Sequence, residues 1–313
     1  MGKIFEKTEQ LDLFGNTKEE NLDKTLLDKF LIPPFSVFDC RQGYWQSRKR
    51  IWLSLGIKSE LGRDSKCFHM EDWAKQKGKT SLMGASDISI FDPVLCEVCY
   101  KWFNIEHGHI LDPFAGGSVR GIIAHKLGFT YTGFDLRKEQ VLANIENAQE
   151  LNVEPKWIED DSKNIPNYIA DNSVDMIFTC PPYFDLEVYS DNPNDLSTMS
   201  YEKFGQVYQE IIKNCSKALK TNRFAIFVVG DIRDKKGFMV SLRDLTIQCF
   251  EKCGIKLYNE VILLSGMASA SLRAETPFKV NRKLTKIHQN VLIFYKGEPN
   301  EIRQNFKELD LDY

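Results

Sequence analysis

The chain has 313 residues, enough to bury one large core or about two smaller ones. Its 41 Lys and Arg against 44 Asp and Glu give a formal charge of −3, so no global positive field marks a nucleic-acid binder and any polyanion contact must be local. No run approaches the roughly 18 apolar residues of a membrane span, no apolar targeting segment opens the chain, and the eight cysteines are dispersed; together these predict a soluble, cytoplasmic protein with reduced thiols.

Residues 1–86 read as polar helical segments, then Pro33-Pro34, then an aromatic and basic stretch with few strand signals. There Arg41, Arg48, Lys49 and Arg50 interleave with Tyr44, Trp45 and Trp52. That pattern suits phosphate contacts with aromatic support, and equally an amphipathic helix with a solvated basic face. Around Pro93–Phe103 the apolar spacing is helical, which favours Cys96 and Cys99 as small buried hydrophobes over metal ligands. From about residue 105, apolar runs alternate with amphipathic ones. Strands are predicted at 108–112, 129–135, 156–160, 173–180, 223–230, 257–264 and 290–296, and helices at 116–127, 137–151, 201–220 and 239–253. Such alternation predicts an α/β fold: a Rossmann-like, doubly wound, mostly parallel sheet. The last two strands have no apolar-periodic helix between them, only a polar, basic connection, and are therefore predicted to be antiparallel neighbours. The tail after Lys296 reads as a solvated end.

Two segments carry the chemistry. Asp112-Pro-Phe-Ala-Gly-Gly-Ser118 follows the first predicted strand, where small residues let backbone approach a ligand. Asp112 offers a carboxylate to a cationic group, and Gly116 and Gly117 allow the turn. Asp135 ends the next strand, where an acidic side chain grips a ribose diol in nucleotide-binding sheets. The run is neither GxGxxG nor a P-loop, which suits a cofactor with a ribose but no pyrophosphate. Thr179-Cys-Pro-Pro-Tyr183 follows the fourth strand at the same sheet edge. Its prolines stiffen the backbone and remove donors, so carbonyls at Cys180 and Pro181 can accept from an exocyclic base amine while Tyr183 offers a stacking face.

The first segment resembles the S-adenosylmethionine loop of DNA amino-methyltransferases, usually Asp-Pro-Phe-x-Gly-x-Gly, although here Gly117 and Ser118 displace the second glycine. Ser89-Ile-Phe-Asp-Pro93 resembles the segment those enzymes lay against the cofactor from the other side, and Glu159-Asp-Asp-Ser162 resembles their acidic turn at the adenine ring. The resemblance implies a class I methyltransferase fold and a cofactor site of Phe91, Asp92, Asp112, Pro113, Phe114, Gly116, Gly117, Ser118, Asp135, Leu136, Asp160, Asp161 and Ser162. The second segment resembles the [Asp/Asn/Ser]-Pro-Pro-[Tyr/Phe] motif of enzymes that methylate N6 of adenine or N4 of cytosine, which implies catalytic roles for Thr179, Cys180, Pro181, Pro182 and Tyr183. Cys180 stands closest to the Ser variant; a nucleophilic cysteine attacking a pyrimidine ring is the alternative.

Such an enzyme binds DNA and extrudes its target base. The gap between the motifs is too short for a recognition region, which leaves the N-terminal region (Arg41, Trp45, Arg48, Lys49, Arg50), the terminal basic connection (Arg273, Lys279, Arg282, Lys283, Lys286), or both. The expected division is 1–86 as a helical, basic region, 87–299 as the catalytic domain and 300–313 as a tail. The texture of the chain resembles methylases of phages and mobile elements, including restriction-modification enzymes. RNA or a protein glutamine as acceptor, and an inactive DNA-binding module of the same fold, are the competing readings.

Overall fold

The central strands of this chain are buried on both faces, so their side chains are apolar at successive positions and split alternately between two cores. Ile110, Met176, Phe178, Ile226 and Ile293 enter one core, and Leu111, Ile177, Phe227 and Leu292 the other. The computed structural model describes residues 22–58, 91–183, 194–234, 236–265 and 270–309, and the side chains of these except at 22–25 and 272–273.

In chain order the elements are α1 (Leu22–Phe30), β1 (Val37–Asp39), α2 (Gly43–Ser54), α3 (Pro93–Phe103), β2 (His109–Asp112), α4 (Val119–Lys126), β3 (Thr130–Asp135), α5 (Lys138–Glu150), β4 (Lys156–Glu159), β5 (Val174–Thr179), α6 (Tyr201–Ala218) and β6 (Leu219–Val229). They continue with β7 (Ile232–Arg233), β8 (Met239–Val240), α7 (Leu242–Glu251), β9 (Lys256–Leu264), α8 (Ala270–Asn281), β10 (His288–Lys296) and the single turn α9 (Ile302–Asn305). Eight strands form one sheet in the order β1-β9-β10-β6-β5-β2-β3-β4. Only β10 runs antiparallel to its neighbours, which matches the predicted mostly parallel sheet with an antiparallel final strand. Helices α2 to α5 pack on one face, and α6 and α7 on the other.

The order reverses between β2 and β5, so the crevice beyond their carboxyl ends is the topological switch point of the sheet. β2 leads into Asp112–Ser118 and β5 into Cys180–Tyr183. The two segments singled out in the sequence therefore leave adjacent strands at one edge.

Three local expectations differ from the structure. Residues 37–39 form a strand, paired parallel to β9, and α2 carries Trp45 and Trp52 into the main core. Three residues are too few to show period-2 alternation. The connection between β9 and β10 contains α8, whose pattern is invisible because Phe278 and Val280 face solvent, so no apolar stripe marks a buried side. After Lys296 the chain is not merely solvated: Phe306 returns to lie 5.2 Å from Phe224, with the Arg223 guanidinium 5.7 Å over its ring.

The N-terminal portion is locked to the sheet by charge. Glu97 of α3 is fully buried and receives Arg48 through two bonds (2.6 and 2.7 Å) and the Trp52 indole (2.7 Å), with Lys101 at 3.5 Å. Burial would raise the Glu97 pKa, but Arg48, Lys101 and Trp52 outweigh it and hold the carboxyl below its ordinary 4.5. Stability from this pair is thus fully present above the ordinary glutamate value and is lost as pH falls through the lower native one. Arg48→Ala, which strands the buried carboxylate, is expected to cost about 3 kcal/mol at pH 7. Urea unfolding of wild type and variant from pH 7 to pH 3 checks this, and the difference between them should shrink at the acid end.

Candidate active site

Asp112 ends β2 with its carboxylate fully buried. Its Oδ1 accepts from the Phe114 amide (3.1 Å) and from Thr179 Oγ1 (2.6 Å); its Oδ2 accepts from Arg120 Nε (2.6 Å) and the Tyr131 hydroxyl (2.7 Å). Every lone-pair direction a carboxylate offers is taken by these four donors. Asp112 is therefore a buckle between β2, β3, β5 and α4 and does not offer a free carboxylate to a cationic ligand, as its place in the motif suggested. Thr179, also expected at the chemistry, is fully buried and serves the same buckle.

Arg120 completes the arrangement. It donates to the carbonyls of Phe114 (2.5 Å) and Ala115 (2.8 Å), and its guanidinium lies 4.6 Å over the Phe91 ring. Burial pulls its pKa down, but Asp112 and Tyr131 more than compensate, so it stays above its ordinary value and charged. The sequence carries a signal for this residue: a lone arginine among Val119, Ile122 and Ile123, at the start of a buried helix.

Beyond the buckle the loop turns at Gly116, whose φ of +49° falls in the left-handed region that favours glycine. Its amide donates to Asp135 Oδ2 (3.0 Å), and its carbonyl accepts from Asn144 (2.7 Å). Asp135 Oδ1 meanwhile caps the Arg137 amide (2.9 Å). Gly117 and Ser118 do not line the cavity described below. The Ser118 hydroxyl turns away from it and donates to Asn147 of α5 (2.9 Å), so the departure from the usual final glycine is absorbed in packing.

A cavity of about 480 Å³ opens at this edge, within the range of small-molecule sites. Its walls include Phe91, Asp92, Pro113, Phe114, Gly116, Asp135, Leu136, Asp161 and Ser162 from the expected cofactor set, together with Cys180, Pro181, Pro182 and Tyr183. Both motifs thus face one space. The adjacent acids 160 and 161, left open in the sequence, separate here. Asp161 lines the cavity, whereas Asp160 lines a neighbouring depression and is held by Asn164 (2.8 Å), the Tyr168 hydroxyl (2.8 Å) and the Asp161 amide (2.7 Å). Asp92 caps α3 through the Val94 amide (3.0 Å) and pairs with Lys49 (2.9 Å).

Around the second motif, the Tyr183 hydroxyl lies 3.3 Å from Cys180 Sγ and accepts a bond from Gln289 Nε2. Its ring lies against Gly230, where a Cβ would meet it at 3.3 Å. Gln289 carried no sequence signal; the antiparallel return of β10 brings it there across 106 residues. Gln46, Gln140 and Asn194 also line the space and were likewise missed.

The N-terminal cations are placed otherwise than a DNA footprint requires. Trp45 has no exposed surface, Arg48 is committed to Glu97, and Lys49 faces the cavity wall beside Asp92. Arg41 makes a two-bond pair with Asp39 (2.7 and 2.8 Å), and exposed Arg50 reaches Ser47 (3.1 Å). At the other end, Lys279 pairs with Glu275 (2.5 Å), Arg282 caps α8 at the Phe278 and Lys279 carbonyls, Lys283 is half-buried, and Lys286 lies 3.5 Å from Asp231. The Arg273 side chain lies outside the described residues, as do residues 184–193 after the second motif. Cys96 and Cys99 are buried free thiols, and no metal-ligating cluster occurs among the described residues. No described helix is long and apolar enough to cross a membrane.

With its first crossing strand taken as one, the sheet reads 3-2-1-4-5-7-6 with strand seven reversed and an extra strand outside six, and the cavity lies at its switch point; this is the class I methyltransferase fold. Residues 174–313 match the family model described as DNA methylase, of the N6/N4 type. Over 150 residues it is 28% identical to the type II beta methyltransferase M.BslI of Bacillus sp. (strain NEB-606), a match that takes in 45% of this chain and 15% of that protein. Among solved structures it is similar to TrmN from Thermus thermophilus (14% identity, 66% of this chain and 49% of the other, TM-score 0.45). Another is the magnesium protoporphyrin IX methyltransferase of Synechocystis PCC 6803 (10% identity, 72% and 89%, TM-score 0.41).

Asp112→Asn is expected to destabilise the protein by about 3–5 kcal/mol, because the buried Arg120 charge loses its counterion. Urea unfolding measures this, and Ser118→Ala should cost only about 1 kcal/mol in the same assay.

Proposed function

We propose that the protein transfers a methyl group from S-adenosylmethionine to the exocyclic amino group of a DNA base, N4 of cytosine or N6 of adenine, with the base swung out of the stack. The observation that carries this reading is the single cavity at the switch point, walled by both motifs from adjacent strands.

The walls suit that cofactor in three places. Gly116 brings backbone to the cavity and Asp135 stands beside it, an arrangement suited to ribose hydroxyls. Asp161, with the Phe114 ring and Leu136, offers an acceptor between apolar faces, which suits the amino group and ring of adenine. Phe91, packed edge-on against Phe178 of β5, closes the side near the second motif. When bound, the cofactor supplies the methyl group on a sulfonium. The chain's part is positioning: the stiff Pro181-Pro182 turn presents carbonyls to the amine, and Tyr183, fixed by Gly230 and Gln289, presents its ring to the base. Cys180 stands in for the serine of related motifs, beside the Tyr183 hydroxyl. The inward orientation of Ser118 removes one ground for reading the chain as an inactive module.

RNA or a protein amide as acceptor is the second reading, favoured by the −3 charge and by the commitment of Arg48 and Lys49 to carboxylates. Labelled S-adenosylmethionine offered with unmethylated DNA, RNA and protein extract decides between them. Label in N4-methylcytosine or N6-methyladenine is the expected result, and label only in RNA or protein would overturn it. Cys180→Ser should keep activity within about ten-fold, whereas a covalent mechanism through the thiol requires its loss. By titration calorimetry, Asp161→Ala should weaken cofactor binding about ten-fold and Asp160→Ala hardly at all, since a hydrogen bond to a buried acceptor is worth roughly 1–3 kcal/mol.

A further inference from the structure

The most exposed large apolar side chains among the described residues are Leu284 (74%), Phe238 (72%) and Val280 (71%). They are not scattered. Phe238 tips the β7–β8 hairpin that leaves β6 at Gly230, the residue under the Tyr183 ring; Leu284 and Val280 belong to the connection that returns to β10 and Gln289. The two segments touch. A Cβ on Gly237 would stand 2.7 Å from Lys283 Nζ, and Asp231 at the foot of the hairpin lies 3.5 Å from Lys286. Asp231 also accepts from the Arg243 amide (3.1 Å) and Ser241 (3.3 Å), which closes the foot of the hairpin.

The backbone that carries the exposed Phe238 is hydrogen-bonded to Asp234. The Phe238 amide donates to Asp234 Oδ1 (2.8 Å), its carbonyl accepts from the Asp234 amide (2.9 Å), and Arg233 donates to the Gly237 carbonyl (2.8 Å). With Gly237 at φ +95° the turn is tight, and the ring projects into solvent. A protruding phenylalanine on a hairpin that leaves β6 at the residue under Tyr183, with Leu284 exposed on the segment that touches this hairpin, marks a contact surface. Lys236 adjoins Gly237 in the chain, Lys283 approaches Gly237 across the two segments, and Arg282 precedes Lys283. A second copy would meet this patch with the same cations and be repelled, whereas a polyanion is drawn to it. A base drawn into the cavity leaves a gap in its stack, and an apolar wedge flanked by cations is suited to fill such a gap.

We propose that Phe238 and Leu284 form a wedge that enters the stack of duplex DNA where a base has swung into the cavity, with Lys236, Arg282 and Lys283 against the flanking phosphates. This assignment rests on the DNA amino-methyltransferase reading, and its test separates the two. Phe238→Ala and Leu284→Ala remove exposed side chains, so thermal unfolding and calorimetric cofactor binding should stay at wild-type levels. Methyl transfer into unmethylated genomic duplex should fall about ten-fold or more, since opening a stacked step costs a few kcal/mol; transfer into the same DNA after heat denaturation should change less than about two-fold, because no stack remains to be filled. In a Phe238→Trp variant, the indole fluorescence added over wild type should be quenched on binding duplex in the presence of cofactor. Unchanged transfer into duplex, equal loss on duplex and denatured DNA, or an unquenched indole would each overturn the wedge. So would a shift from dimer to monomer in Phe238→Ala with transfer intact, which would mark a self-association face. If wild type methylates no DNA at all, the amino-methyltransferase reading fails, while quenching on duplex still decides whether Phe238 stacks.

Discussion

The carboxylate of Asp112 is the constraint on which the rest of the site depends. Burying a carboxylate and a guanidinium together costs several kcal/mol of desolvation per ion, so such a pair is not an economical source of stability. What it supplies is geometry. Four donors from the loop, β3, β5 and α4 converge on one group, and each fixes a strand end or loop relative to the others. Arg120 then carries the constraint outward to two loop carbonyls and the Phe91 ring. The two chemical segments are adjacent because β2 and β5 are neighbours, and they are held in a single register because Thr179 and Asp112 share a proton donor and acceptor across that boundary.

The sheet was legible in the sequence because its central strands are buried on both faces and follow one another with helices between, a pattern that depends only on local residues. The place of the two motifs was legible for the same reason, since each directly follows a strand. Roles within the motifs were less so. Nothing local distinguishes an aspartate that meets a ligand from one that meets an arginine eight residues on, and the choice between Asp160 and Asp161 turned on how one 3₁₀ turn, Ser162–Asn167, faces its two acids. Gln289 was out of reach altogether, because its contact with Tyr183 is made by the antiparallel strand inserted between β9 and β6.

The basic, aromatic stretch of α2 shows how one local pattern can fit two inferences. Alternating cations and aromatics fit a phosphate-binding surface, and the same residues fit a helix that seals a sheet edge. The deciding partner, Glu97, lies 49 residues from Arg48, and once it is buried the helix must turn its arginine inward, because a lone carboxylate in that core would be far more costly than the pair. Trp52 follows the same logic by donating to the same oxygen as Arg48. The helix therefore contributes to the cavity wall, through Gln46 and Lys49, and of its three cations Arg50 alone is exposed.

On the proposed function, that commitment leaves recognition, within the described residues, to the opposite end of the chain. A net charge of −3 is an average over a surface and does not describe any part of it. Residues 270–290 carry five Lys or Arg and one Glu, and they sit at the carboxyl edge of the sheet, where β9 ends and β10 begins. Their position follows from topology: because β10 runs antiparallel between β6 and β9, the turn that feeds it must cross the same edge as the cavity. The hairpin after β6 crosses it too. The strand reversal that places Gln289 beside Tyr183 therefore also brings the segment carrying the exposed Leu284 to the sheet edge from which the Phe238 hairpin leaves β6, where Lys286 meets Asp231.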